Sequence, residues 1–274
     1  MRRSLFSLCL LLALIATGPR PVHAATTAER APATLYLHGH FGGPHSMDYL
    51  MHAAEVADKA HAVITATVKR NGHVRLRGRW PANTRRPLVK IVFQNNRTMR
   101  YHRISNWLHN VLVALQRRYH IKRFNIVAHS LGNAAVLFYM LRYGQDRTLP
   151  QLNKYAAIAG NFDGIPGRHR GQHPNALLPS GRPRWLAPPF RQALALRRHF
   201  PVDQVDILNL YGNLDDGTHS DGKILNASSR SLGYLLGKQA RHYQEKAFNG
   251  AMAQHSMLRL NAKVATTINR FLWH

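Results

Sequence analysis

Cysteine is almost missing from the chain: 274 residues carry one, Cys9. That excludes a disulfide framework and leaves stability to packing. Acidic residues are scarce as well. Twelve Asp and Glu face 38 Lys and Arg, a formal charge of +26. Long apolar runs are lacking too. The run from Leu5 to Ala16 is too short to cross a bilayer comfortably. There is no internal repeat, no low-complexity linker and no nucleic-acid-binding motif. His38, His40 and His45 suggest a metal site, but no fitting carboxylate or cysteine accompanies them. The reading is therefore of no metal and no cofactor.

What is present begins with a targeting pattern. Arg2 and Arg3 precede the apolar run, Pro19 and Pro21 break it, and Val22-His23-Ala24 offers small residues at the positions a signal peptidase reads. Residues 1–24 are expected to be a cleaved signal peptide, with an uncleaved anchor as the alternative. Cleavage removes Cys9, three arginines and no acid, so the charge falls to +23. Residues 25–274 then suit one α/β domain with a full core. So basic a surface favours polyanions such as cell-wall polymers or anionic membranes. A generally basic proteome or an acidic habitat is the bland alternative.

Along the chain, apolar strand-like runs alternate with helical patterns. Buried strands are expected at Thr34–Leu37, Leu88–Phe93, Phe124–Ala128, Tyr155–Ala159, Val205–Tyr211 and Tyr243–Phe248. Asn71-Gly72 between Val63–Val68 and Val74–Leu76 predicts a hairpin. Helices are expected over residues 46–60 and 133–143 and at the C-terminus. The cleanest places Ile104, Trp107, Leu108, Val111, Leu112 and Leu115 on one face, with Ser105 as its N-cap. The alternation implies a mostly parallel sheet covered on both faces. Residues 164–202 interrupt it. They hold seven of the fourteen prolines, seven arginines and no acid, and read as a cap or lid insertion.

The chemistry centres on Phe124-Asn125-Ile126-Val127-Ala128-His129-Ser130-Leu131-Gly132, a strand, a tight turn and a helix. In a G-x-S-x-G elbow the serine sits on a strained strand-to-helix turn, with small residues two before and two after it. Ala128 and Gly132 fill those places, and Ser130 becomes the candidate nucleophile, lifted to the rim of the sheet. A serine that merely caps the helix is the bland alternative. Such a serine needs a base, and the base an orienting acid, in chain order Ser, Asp or Glu, His. Asp221, in the glycine-rich loop after a strand, is the first candidate acid and Asp216 the alternative. His255, between the last strand and the last helix, is the candidate base, with His219 its rival. The N–H of Leu131 and the N–H of His40, or else Phe41, are candidate oxyanion donors.

With these residues in place, the chain resembles a family of secreted α/β hydrolases of Gram-positive bacteria, a domain of unknown function often labelled cell-surface hydrolases. The likeness runs from about Thr34 to Trp273. It is most specific at Phe124–Asn133, Tyr143–Leu152, Ala159–Ile165, Leu210–Ser229 and Ala253–Leu258. The family elbow reads Gly-His-Ser-Met-Gly-Asn, where this chain has Ala128 and Leu131 in place of the Gly and the Met. The resemblance implies an α/β-hydrolase fold and the triad Ser130, Asp221, His255, and it names no substrate. The expectation is a secreted or cell-surface serine hydrolase of carboxylic esters, small or lipid-like. The alternative is a binding protein on the same fold that holds anionic wall polymers or membranes. Nucleic acid is not an expected partner, and the oligomeric state is open.

Overall fold

A computed structural model describes residues 31–166 and 175–274. The expected signal segment, residues 1–24, lies outside the described residues, as does part of the Pro/Arg-rich stretch 164–202. Eight strands form one sheet in the order β3-β2-β4-β1-β5-β6-β7-β8. They are β1 (Ala33–Leu37), β2 (His61–Val68), β3 (Val74–Gly78), β4 (Pro87–Phe93), β5 (Arg123–His129), β6 (Gln151–Ile158), β7 (Asp206–Asn213) and β8 (His242–Asn249). All neighbours are parallel except β2 and β3, the hairpin that Asn71-Gly72 turns. Gly72 has φ 90°, and its N–H bonds to Lys69 O, as the dipeptide requires.

Among the described residues six helices cover the sheet: α1 (Asp48–Asp58), α2 (Tyr101–Tyr119), α3 (Leu131–Tyr143), α4 (Pro188–Leu196), α5 (Asn226–Leu236) and α6 (Ala262–Trp273). Alternate strand residues feed two cores. Leu35, Leu37, Ile126 and Ala128 pack with α2 to α5, whereas Tyr36, Val127 and Ile158 pack with α1 and α6. Each fully buried aliphatic side chain contributes about 1.5–3 kcal/mol. Helix α3 lies against the centre of the sheet and is buried from Leu131 to Leu141, so its sequence is apolar all round rather than striped.

Four features depart from the sequence reading. Strand β8, expected to be buried, is the edge strand of the sheet and buries only Phe248. Helix α2 starts at Tyr101, and Ser105 lies inside it, where its hydroxyl donates to His102 O at 3.0 Å. The bases at the real start, Arg100, His102 and Arg103, carry no N-cap signal, which is why the serine drew attention. Helix α5 falls in a stretch without an apolar stripe, because serine fills part of its buried face: Ser228 donates to Gly164 O and Ser229 to Gly160 O. Within the insertion, α4 and the turn after it bury Phe190 and Phe200 in the core and carry the chain from β6 across to β7. Among the described residues no helix is long and apolar enough to cross a membrane.

Candidate active site

Ser130 stands between β5 and α3 with φ 52° and ψ −123°, a conformation a side chain of this chirality adopts at a cost of about 1–3 kcal/mol. Its surroundings hold it there. The Ser130 N–H bonds to Ile158 O at 2.9 Å. The Asn133 amide donates to Ser130 O at 3.0 Å and to Ile158 O at 2.9 Å, while Tyr155 OH donates to Asn133 Oδ1 at 2.8 Å. A Cβ on Gly132 would come within 2.9 Å of His38 O, and one on Gly39 within 2.7 Å of Ser130 Cβ. At Ala128, fully buried, a methyl group is accommodated. The serine is recessed rather than open at the rim, with 8% of its surface accessible, because the loop after β1 lies directly against it.

Three predicted residues meet here from distant parts of the chain. His255 Nε2 lies 2.9 Å from Ser130 Oγ, and His255 Nδ1 lies 2.7 Å from Asp221 Oδ2. A carboxylate can only accept, so Nδ1 carries the proton and Nε2 is left to accept from the hydroxyl. Asp221 is 1% exposed and its other oxygen accepts from the N–H groups of Lys223 and Ile224 at 2.9 and 2.7 Å, which fixes its plane. Two further bonds seat the histidine: its N–H donates to Asp221 O at 2.8 Å, and His129 Nε2 donates to its carbonyl at 2.9 Å. Burial, and then the neighbouring His255, push the His129 ring well below the usual imidazole range, so it stays neutral.

Asp216 is not brought into this group. It is exposed, and its Oδ1 is taken up by the N–H and hydroxyl of Thr218 at 3.0 and 2.6 Å in a local turn. His219 is likewise exposed on that loop. The loop after β1 separates its own candidates. Phe41 N–H is spent on Asn96 O at 2.9 Å and Gly42 N–H on Gly39 O at 3.0 Å, so Phe41 drops out. The N–H of His40, and that of Leu131 at the first position of α3, have no partner among the described residues. His38 braces the loop. Its Nε2 accepts from Phe93 N–H at 3.0 Å, so its Nδ1 is the protonated nitrogen and donates to Gly39 O at 2.8 Å. Burial holds this ring below the usual range too.

Sequence reasoning gave no role to Asn133, Tyr155, His129 or Asn96, all of which hold the site together. His129 and Asn133 stood in the family pattern without a role; Tyr155 and Asn96 leave no local signal, since each acts on a residue far away in the chain.

A mostly parallel eight-stranded sheet with helices on both faces, and a strained serine after its fifth strand, defines the α/β-hydrolase fold. The chain belongs to the family described as "Alpha/beta hydrolase of unknown function (DUF915)", whose model matches residues 21–274. Among solved structures it is similar to a gene product of Listeria innocua, at 23% identity and TM-score 0.79, over 89% of this chain and 94% of that one. It is also similar to a candidate cell-surface hydrolase of Lactobacillus plantarum, at 22% identity and TM-score 0.74, over 89% and 92% of the two chains. No curated protein matches.

Proposed function

We propose that the protein is a secreted serine hydrolase that cleaves carboxylic esters through an acyl-enzyme. The observation that carries this reading is the run of two short hydrogen bonds, Ser130 Oγ to His255 Nε2 at 2.9 Å and His255 Nδ1 to Asp221 at 2.7 Å. In this mechanism His255 Nε2 takes the hydroxyl proton as Ser130 Oγ attacks the ester carbonyl. The negative charge that develops on the carbonyl oxygen is met by the N–H groups of Leu131 and His40. The tetrahedral intermediate collapses, the C–O bond to the alcohol breaks, and His255 returns the proton to the departing oxygen. Water, deprotonated by the same nitrogen, then releases the acid and restores the serine. Asp221 holds the imidazole in its working tautomer and stabilises the imidazolium.

A purely binding role on this fold would leave the strained backbone of Ser130 without a purpose. The test is labelling by a fluorophosphonate probe, together with hydrolysis of short and medium acyl p-nitrophenyl esters. The parent protein is expected to take up the probe at residue 130 and to turn over at least one ester. Ser130→Ala should lower the rate by 10³-fold or more, roughly the share a nucleophile carries in such sites. Equal rates from the two proteins would overturn the reading.

A further inference from the structure

Charge is distributed unevenly over the molecule. From Lys59 to Gln145 the chain carries seventeen Lys and Arg and not one Asp or Glu. This segment builds β2 to β5, α2 and α3, the half of the sheet that ends at β3. On it lies a groove of about 950 Å³ between the β2–β3 turn and the first turns of α2. Arg70, Arg100, Arg103 and His102 line it, and no carboxylate does. All four are exposed, and the three arginines have no side-chain partner among the described residues. Arg100 and Arg103 also sit at the positive end of a 19-residue helix whose first turn holds no acid, where bases destabilise the helix unless an anion answers them.

The segment that leads into the groove also braces the loop beside the candidate site. The segment before α2 bonds to the loop after β1 through Asn96 O to Phe41 N–H, Asn96 Nδ2 to Gly42 O at 2.7 Å, and His40 Nε2 to Arg97 O at 3.1 Å. The Arg97 guanidinium lies over the Phe41 ring, 5.4 Å from its centroid. A chain held by the arginines would thus run on towards the donors beside Ser130.

We infer that this acid-free groove binds the phosphate-bearing backbone of an anionic polymer whose ester the serine cleaves. The second half of that statement rests on the hydrolase reading above; the first half stands on charge and shape. Two features favour a polymer without bases over the other polyanions. A bilayer wants exposed apolar anchors, and no exposed large apolar side chain lines the groove. Nucleobases want a free aromatic face. Trp107 is buried against Phe93, and the Tyr143 ring is already covered by His109 and Arg142. Unpaired guanidinium groups suit phosphate oxygens in pairs.

Binding is measured on protein carrying Ser130→Ala, so that its outcome is independent of catalysis. The probe is long-chain inorganic polyphosphate, set against oligo-dT of equal charge and vesicles containing anionic phospholipid. The triple variant Arg70→Gln/Arg100→Gln/Arg103→Gln is compared with Arg117→Gln/Arg118→Gln/Lys122→Gln, which removes as many charges at the other end of α2. The groove triple is expected to weaken polyphosphate binding at least tenfold and to lower the salt-dependence slope by about 2. The control triple should change affinity less than threefold. Melting curves identify a misfolded variant, and Arg70→Lys/Arg100→Lys/Arg103→Lys, which keeps the charge but not the paired geometry, should then restore part of the affinity. Equal losses in both triples would reduce the effect to diffuse attraction and overturn the proposal. So would failure of the parent to bind polyphosphate, or its preference for oligo-dT or for vesicles. If binding behaves as expected and no ester is hydrolysed, the groove stands and the hydrolase reading falls.

Discussion

Asn133 shows how much of the site depends on one side chain that meets no substrate. It spends both amide hydrogens on carbonyls of the elbow and of β6 and accepts the Tyr155 hydroxyl, entirely out of water. Asn133→Ala would leave a buried hydroxyl without its partner and release the turn, at a cost of about 2–4 kcal/mol. Urea unfolding should register that cost. Fluorophosphonate labelling should slow as well, and compared at equal folded fraction the slowing separates a loosened elbow from mere instability. Ser130 and His255 were legible in the sequence because strand, turn and helix frame them and chain order fixes the rest. The roles of Tyr155 and His129 were not, because a hydrogen bond between residues 22 or 126 positions apart leaves no mark in either neighbourhood.

At the level of elements, the connection from β6 to β7 depends on Asp163. This fully buried carboxylate accepts from Ala187 N–H at 2.8 Å and from the Asn175 amide at 2.6 Å, so it ties two points of the connection to the end of β6. Asp163→Ala should therefore destabilise the protein by about 2–4 kcal/mol, since the bonds lost are charge-assisted. Limited proteolysis should move its first cuts into residues 175–187. Retention of the parental pattern would mean that packing of Phe190 and Phe200 alone secures this segment. The central strands could be read from the sequence because parallel strands buried on both faces are apolar runs, and α2 and α6 because each carries a stripe. Helix α5 lacked that stripe, and Asp163 sits in a loop where an acid has no periodicity to betray it. Residues 164–202 stood out by composition, whereas the burial of α4 among them did not.

Across the whole molecule, two buried neutral histidines set a limit on acid tolerance. His38 and His129 both have ring pKa values below the usual 6.5 in the folded protein, through burial. The unfolded chain binds those protons near pH 6.5. The stability that comes from keeping the rings neutral is thus complete above pH 6.5 and is lost as pH falls below it, through the folded-state values. Unfolding free energy should drop between pH 7.0 and pH 5.5, by at most about 1.3 kcal/mol for a ring that stays neutral over that range. His129→Gln should make that drop smaller, since the His129 ring is the one held well below the usual range. A pH dependence identical to that of the parent would assign acid sensitivity to general charge repulsion instead.

The 8% exposure of Ser130 also bears on what can be cleaved. A hydroxyl so deep meets only groups that project from their carrier on a slender arm. Acyl groups flush with a bulky framework would stall at the entrance however well their chemistry matched. Reach, as much as reactivity, would then sort one ester from another.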